Sequence, residues 1–120
     1  MSAIRGIRGA IQVAENSIEA IERASRELLL AIADRNGLEP DDLVAIWFTQ
    51  TPDLTATHAA ASARSLGWTT VPLMSALEVP VEGQLPRVVR ALVLARWRDG
   101  APEIRHAYLG GASTLREDLA

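Results

Sequence analysis

Residues 43–49 have the sequence Leu-Val-Ala-Ile-Trp-Phe-Thr, an uninterrupted apolar run that ends in a threonine. Successive side chains of a β-strand point to opposite faces, so an apolar run without alternation predicts a strand covered on both sides. Such a strand belongs in the middle of a sheet. The rest of the chain must therefore supply neighbouring strands and a layer over each face.

A second strand is predicted at residues 4–13, where large apolar residues alternate with polar or small ones. One face carries Ile7, Ile11 and Val13, and the other carries Gly6, Arg8, Ala10 and Gln12. Arg5 and Arg8 point to opposite faces, so only one of these two arginines can line a given pocket.

Two helices are predicted on either side of the apolar run. Asn16 and Glu19 have the spacing of a capping box, and apolar residues follow at helical intervals. Gly37 is the predicted stop, because glycine adopts the left-handed backbone that commonly ends a helix. The alanine-rich stretch 56–66 predicts a second, shorter helix.

The second half of the chain is predicted to be mostly strand. We expect a strand at residues 68–73 and a loop at 74–86, which two prolines and a glycine interrupt. Residues 87–97 fit either a helix or a buried strand by periodicity, although their valines and tryptophan favour a strand. A last short strand is predicted at 104–109. The order β-α-β-α-β-β-β predicts a single α+β domain over residues 1–120, with a mixed sheet that carries both helices on one face.

That arrangement leaves the second face of the sheet without cover, although residues 43–49 are apolar on both faces. A large apolar patch in contact with water is rare in soluble monomers, so we expect several copies of the chain to pack their sheets together. Closed cyclic symmetry is usual for such assemblies, and the pattern leaves both two and three copies open.

Composition excludes several classes of protein. The chain has 48% hydrophobic and 22% charged residues, as globular domains do, and it has no cysteine for a disulfide or a thiolate metal site. His58 and His106 lack a third ligand at metal spacing, so we expect no metal. The net charge of −3 argues against nucleic-acid binding. Without a long apolar run or a leader pattern, we expect no membrane contact and a cytoplasmic location.

All 12 cationic residues are arginines, whose planar guanidinium suits two-point contact with carboxylate or phosphate. We attribute the overall excess to coding bias in a GC-rich genome, so only individual arginines carry functional meaning. Arg90 lies inside an apolar segment, where either a structural ion pair or a binding site accounts for the charge. Arg8 lies between glycines that let a ligand approach the backbone, or it is an exposed arginine of an edge strand.

Glu78 and Tyr108 are weaker candidates. Glu78 has apolar neighbours in the predicted loop and is either a solvated carboxylate or one paired with a cation. The Tyr108 hydroxyl either contacts a ligand or reaches solvent from a packed ring. The sequence has no nucleophile elbow and no phosphate-binding glycine loop, so a hydrolase or a nucleotide-binding protein lacks its main support.

Several short blocks follow one another along nearly the whole chain. They are residues 4–10 (Ile-Arg-Gly-Ile-Arg-Gly-Ala), Thr51-Pro52-Asp53-Leu54, Gly67-Trp68, Val71-Pro72, Glu78, residues 83–90, residues 104–109 (Ile-Arg-His-Ala-Tyr-Leu) and Leu115-Arg116. In this order they resemble the AroH-type chorismate mutases. His58, Ala61 and the Met74-Ser75 pair depart from that family's pattern, in which a phenyl ring, a lysine and a threonine-cysteine pair occur.

The resemblance implies a homotrimer with a pseudo-α/β-barrel arrangement, in which each active site lies between neighbouring subunits. It implies that residues 87–97 form a strand, and that the enzyme rearranges chorismate to prephenate without a cofactor. By position, one subunit would contribute Arg8, Leu73, Met74, Ser75, Glu78, Arg90, Tyr108 and Leu115, with Arg116 beside Leu115. The neighbouring subunit would contribute His58, Ala60 and Arg64.

The implied catalysis is electrostatic. Arg90 would stabilise the negative charge that grows on the ether oxygen as its C–O bond lengthens, and it would bind the transition state more strongly than the substrate. Arg8 and Tyr108 would hold the carboxylate of the enolpyruvyl arm.

The ring of the substrate would be aligned by other residues. Glu78 would accept a hydrogen bond from the ring hydroxyl, a contact that Ser75 would share, and Arg64 would bind the ring carboxylate.

Two alternative functions are a non-catalytic trimeric module that binds small carboxylates, and an imine deaminase of a similarly shaped trimeric fold, whose motifs do not match these blocks.

Overall fold

Five strands form one mixed sheet in the computed structural model, which describes residues 3–116 of the chain. In chain order they are β1 (Ala3–Gln12), β2 (Leu43–Gln50), β3 (Leu73–Leu77), β4 (Val88–Trp97) and β5 (Ala107–Leu109). Their order across the sheet is β3-β2-β4-β1-β5. β4 is antiparallel to both β1 and β2, whereas β3 and β5 lie parallel to their inner neighbours. The predicted strands at 43–49 and 87–97 are therefore confirmed, and both lie inside the sheet.

The strand predicted at residues 68–73 is wrong in position, because the strand begins where that segment ends, at Leu73. Trp68 and Val71 are buried and attach an irregular segment to the core, which explains the apolar pattern. β3 itself is defined by backbone pairing with β2, and its Met74 and Leu77 side chains are 59% and 65% exposed. The predicted loop therefore begins only at Glu78.

The cap of the first helix, α1 (Ile18–Asn36), is Ser17, one residue later than the predicted Asn16. The Ser17 hydroxyl accepts a hydrogen bond from the Ala20 backbone N–H at 3.1 Å, as an N-cap does. Asn16 instead accepts a hydrogen bond from the Thr55 backbone N–H at 2.9 Å, a contact between distant segments. The helix ends at Gly37 with a left-handed backbone (φ 62°), which confirms the predicted stop.

The second helix, α2 (Ala61–Ser65), is much shorter than the predicted 56–66 segment. The side-chain amide of Gln50 explains the difference. It donates to the carbonyls of Leu54 at 2.8 Å and Thr57 at 2.9 Å, and it accepts from the Ala59 N–H at 3.1 Å. The bonds to Thr57 and Ala59 use backbone groups that a longer helix would pair internally, so the segment before α2 is irregular.

Both helices lie on one side of the sheet: α1 packs on β1, β4 and β5, and α2 packs against α1. The main core lies between α1 and this face and includes Ile7, Ile11, Leu28, Leu29, Ile32, Phe48 and Val93. On the other side, which we call the open face, large apolar side chains remain exposed: Ile4 57%, Trp47 39%, Met74 59% and Leu92 42%. The uncovered face expected from the sequence is present.

Candidate active site

Strand register brings three predicted site residues together on the open face. Ala10 of β1 lies opposite Arg90 of β4 on one side and opposite Tyr108 of β5 on the other. Paired residues of adjacent strands project from the same face, and Arg8, two residues before Ala10, shares that face. Arg8, Arg90 and Tyr108 line one cavity of ≈ 400 Å³.

Glu78 completes this cavity from the far side of β2. It follows the last residue of β3, and its backbone N–H donates to the Gln50 carbonyl at 2.9 Å, which extends the β2–β3 pairing by one step. Its Oε2 lies 3.5 Å from Nε of Arg90, in an ion pair whose side chains are 24% and 41% exposed. The Thr49 hydroxyl donates a hydrogen bond to the same carboxylate oxygen.

The charges around the cavity suit an anionic ligand. Two guanidinium groups, those of Arg8 and Arg90, face a single carboxylate, that of Glu78. The site is therefore cationic in a protein whose net charge is −3. A dianionic ligand could bind one guanidinium through a carboxylate. The second guanidinium would then be available to an oxygen that becomes more negative during a reaction.

A histidine supports the backbone of Arg8. The Arg8 backbone N–H donates to Nδ1 of His106 at 2.9 Å, so this nitrogen must be unprotonated. Burial, together with the positive charges of Arg8 and Arg116, lowers the pKa of His106 below its ordinary value of 6.5. The neutral ring that accepts the hydrogen bond is therefore the form favoured near neutral pH.

Tyr108 and Leu115 form a small cluster beside the cavity. Tyr108 is only 7% exposed and packs with Ala10, Val88 and Ala112, while Leu115 contacts the same cluster. The ring of Tyr108 is thus held by packing while it lines the cavity. Arg116 lies close enough to His106 to affect its pKa, which brings both predicted C-terminal residues near the site.

Two other predicted residues of β3 do not reach this cavity in one chain. Leu73 packs against the core on the helix side. Ser75 lies opposite Phe48, also on the helix side, and it lines a separate cavity of ≈ 200 Å³. Its Oγ is buried without a hydrogen-bond partner. Within one chain, Ser75 and Glu78 therefore line different cavities.

The residues predicted to come from a neighbouring subunit are likewise absent from the cavity. Ala60 is buried in the main core, and Arg64 is exposed on α2, on the helix side of the sheet. His58 lies beside Ser75 in the smaller cavity. Met74 is exposed on the open face opposite Trp47, next to the site rather than inside it.

Sequence analysis missed several residues that line the cavity, namely Gly9, Trp47, Thr49, Ala91 and Leu92. Thr49 offered one signal in the sequence. It is the polar residue that ends an apolar run, and it lies two residues after Trp47, on the same face of the strand. Its contact with Glu78 joins residues 29 positions apart, and spacing in the sequence does not reveal such a contact.

Another cavity, of ≈ 300 Å³, lies at the opposite end of β4 and is also lined by arginines. Their guanidinium groups are already bonded within the protein: Arg35 donates to the His106 carbonyl (2.9 Å), Arg96 donates to the Asp41 carbonyl (3.2 Å), and Arg98 pairs with Asp42 (3.8 Å). This cavity is therefore a poorer anion site than the one around Arg90.

Within residues 3–116, no cluster of at least three His, Cys, Asp or Glu side chains is placed to hold a metal ion. In the same part of the chain, no helix combines the length and hydropathy required to cross a membrane.

These features define a class of protein: a small α+β protein with an arginine-lined anion site on an uncovered sheet face. Comparison with known proteins specifies the family. The family model for chorismate mutase type I matches residues 4–119. The chain belongs to this family, whose members are isomerases.

Individual relatives are similar in sequence to this chain over nearly its full length. The chorismate mutase AroH of Thermus thermophilus is 51% identical over 119 residues, which are 97% of this chain and 96% of that protein. The Bacillus subtilis chorismate mutase AroH is 36% identical over 118 residues, 98% of this chain and 93% of that one. A solved structure, the chorismate mutase of Clostridium thermocellum, superposes with a TM-score of 0.85 at 38% identity and covers 92% of this chain and 98% of its own.

Proposed function

We propose that this protein rearranges chorismate to prephenate in the biosynthesis of phenylalanine and tyrosine, with Arg8, Glu78, Arg90 and Tyr108 as the core of its active site. The observation that carries this assignment is the convergence of these four side chains on one cavity of ≈ 400 Å³. They come from β1, β4, β5 and the end of β3, so no local segment accounts for their proximity.

The reaction is a [3,3] shift within one molecule, in which an ether C–O bond breaks as a C–C bond forms. It needs no nucleophile, general acid or metal, so catalysis comes from positioning and from the local field. Chorismate is a flexible dianion, and holding its enolpyruvyl arm over the ring lowers the entropic part of the barrier. Arg8 and the Tyr108 hydroxyl bind the carboxylate of that arm, and the packed ring of Tyr108 favours one orientation.

Arg90 acts on the ether oxygen, which becomes more negative as its bond to the ring lengthens. A guanidinium fixed near this oxygen binds the transition state more tightly than the ground state and therefore raises kcat. The ion pair with Glu78, at 3.5 Å, restrains Arg90 without a close hydrogen bond, so the guanidinium keeps donors for a ligand.

Glu78 accepts a hydrogen bond from the ring hydroxyl and orients the ring. Glu78 follows β3 and Arg8 lies on β1, so the two residues line the cavity from either side of β4, as groups that bind the two ends of a substrate should. With only 24% of the side chain exposed, the carboxylate needs partners within the protein, and Thr49 and Arg90 supply them.

A single chain leaves this site incomplete, and we propose that a homotrimer completes it. The cavity opens on a face where Ile4, Trp47, Met74 and Leu92 are exposed, an apolar surface of the kind that a second copy covers. Arg64, His58 and Ala60 lie on the helix side, so they reach the substrate only from a neighbouring subunit. Arg64 then binds the ring carboxylate, and Leu115 and Arg116 flank the arm. The whole assembly would be built from one domain per chain and work in the cytoplasm.

The main alternative is a trimeric module that binds small carboxylates without turnover. Glu78 disfavours it, because a carboxylate inside the cavity repels a dianion and gives a simple anion sensor no advantage. The purified protein should consume chorismate, with a steady loss of its ultraviolet absorbance. A flat trace from a folded oligomer would instead support the binding module.

A subunit-mixing experiment tests whether the site is shared. Arg90→Ala and Arg64→Ala should each be nearly inactive as pure proteins. When the two are unfolded together and refolded, some sites combine intact Arg90 from one chain with intact Arg64 from another, so activity should return. No recovery in mixed oligomers of normal mass would refute the shared site. Arg96→Ala, on the same strand as Arg90 but bonded to the Asp41 carbonyl, serves as the control and should remain active.

A further inference from the structure

Thr49 lies at the point where Glu78 and Arg90 meet. It is directly opposite Arg90 in the β2–β4 register, it lines the same cavity, and its hydroxyl donates to Oε2 of Glu78. From this geometry we infer that Thr49 is the positioning residue of Glu78: it holds Oε2 of the carboxylate 3.5 Å from Nε of Arg90 and so prevents a closer two-point pair with the guanidinium. The inference rests on the proposed roles of Glu78 and Arg90.

Glu78 needs such a restraint because little else holds it. It lies one residue beyond β3, and the residues that follow, including Val79 and Val81, are 71% and 62% exposed. Its backbone is held by one hydrogen bond to the Gln50 carbonyl, at 2.9 Å. The side chain has rotatable bonds that this single backbone contact does not restrict.

The alternative position for the carboxylate is a close pair with Arg90. Arginine and carboxylate favour parallel two-point hydrogen bonds, which would occupy the donors that the substrate requires. In the structure the pair remains at 3.5 Å, and Nε of Arg90 has no hydrogen-bond partner. The Thr49 hydroxyl accounts for this separation, because it engages the oxygen of Glu78 that lies nearest to Arg90. The second oxygen then remains for the ring hydroxyl of the substrate.

Thr49→Val tests the inference, because valine has nearly the same shape but no hydroxyl. We expect kcat to fall by about 10- to 100-fold, the range that corresponds to a lost hydrogen bond to a charged group. Thr49→Ser restores the donor and should retain kcat within about threefold by the same reasoning. Thr49→Ala gives a second variant without the hydroxyl, in case valine disturbs folding.

Thr51→Val is the matched control. Thr51 follows two residues later, and its hydroxyl also donates to a carboxylate, that of Asp53, while it accepts from the Val88 N–H at 3.0 Å. None of these three residues lines the cavity. The control should lower thermal stability but leave kcat close to the wild-type value. Equal losses of kcat in Thr49→Val and Thr51→Val would show a general structural effect and overturn the inference.

A double-mutant cycle separates this inference from the proposed function. If Thr49 acts only through Glu78, then adding Thr49→Val to Glu78→Ala should cause no further loss of kcat. A further loss of tenfold would show that Thr49 acts independently of Glu78, contrary to the inference. If Glu78→Ala itself retains full activity, the proposed role of Glu78 fails, and the role of Thr49 fails with it. If Glu78→Ala is slow but Thr49→Val and Thr49→Ala are not, only the inference about Thr49 fails.

Discussion

Replacing Arg90 with lysine should slow the reaction far more than it weakens substrate binding. Lysine retains the positive charge but replaces a planar group with several donors by a compact ammonium. A dianionic substrate is still attracted to the cavity, so KM should change by less than about threefold if the lost contact forms mainly in the transition state. The variant loses the guanidinium donors that we propose act on the ether oxygen, so kcat should fall.

The size of the effect follows from the setting of Arg90. Removal of one preorganised donor at a developing oxyanion costs about 10²–10³ in kcat, or about 2.7–4 kcal/mol. The ion pair with Glu78 spans 3.5 Å and its members are 41% and 24% exposed, so its contribution to stability resembles that of a surface pair. Such pairs contribute about 0–1 kcal/mol. The variant should therefore lose activity while its free energy of unfolding remains almost unchanged.

The assay is the initial rate of chorismate loss, fitted for kcat and KM, with urea unfolding measured on the same preparation. Arg96→Lys is the control, since this arginine is on β4 but donates to the Asp41 carbonyl at 3.2 Å, outside the cavity. It should leave kcat unaltered. A folded Arg90→Lys enzyme with wild-type kcat would remove Arg90 from the mechanism.

Gly9→Ala should destabilise the protein by about 1–3 kcal/mol, as overpacking does, because its new Cβ would lie 2.8 Å from Cδ1 of both Leu28 and Ile32. Gly6→Ala, whose Cβ would meet only ordinary contacts of 3.5 Å and beyond, should have little effect on urea unfolding. Burial, and to a smaller extent the charges of two nearby arginines, lower the pKa of His106 in the folded protein below 6.5. Just below pH 6.5 the unfolded chain therefore binds more protons than the folded one. Wild-type stability should therefore fall as the pH drops through 6.5, and His106→Asn should remove that part of the slope; identical pH profiles of the free energy of unfolding would contradict this.

Much of the fold could be predicted from the sequence, because local rules act on short segments. Alternation of side chains placed Arg8 on the face opposite Ile7 and Ile11, and an unbroken apolar run marked β2 as an interior strand. Gly37 marked the end of α1, since its left-handed backbone suits glycine. The ordered blocks along nearly the whole chain, including those around Arg8, Glu78 and Arg90, indicated the family, which the comparisons confirm.

Side-chain contacts and strand pairing, which periodicity does not show, decided the rest. Hydrogen bonds to the Gln50 amide make α2 shorter than predicted. Asn16 bonds to Thr55, so Ser17 is the cap of α1. Backbone pairing with β2 places β3 later in the chain than its apolar pattern suggested. The same physics assembled the candidate site: Arg90 faces Thr49 and Ala10 because of strand register, which depends on the whole packed sheet. Periodicity tells which face a side chain occupies. Which residues meet on that face is decided only when the strands pair, because pairing brings together residues that no local rule relates.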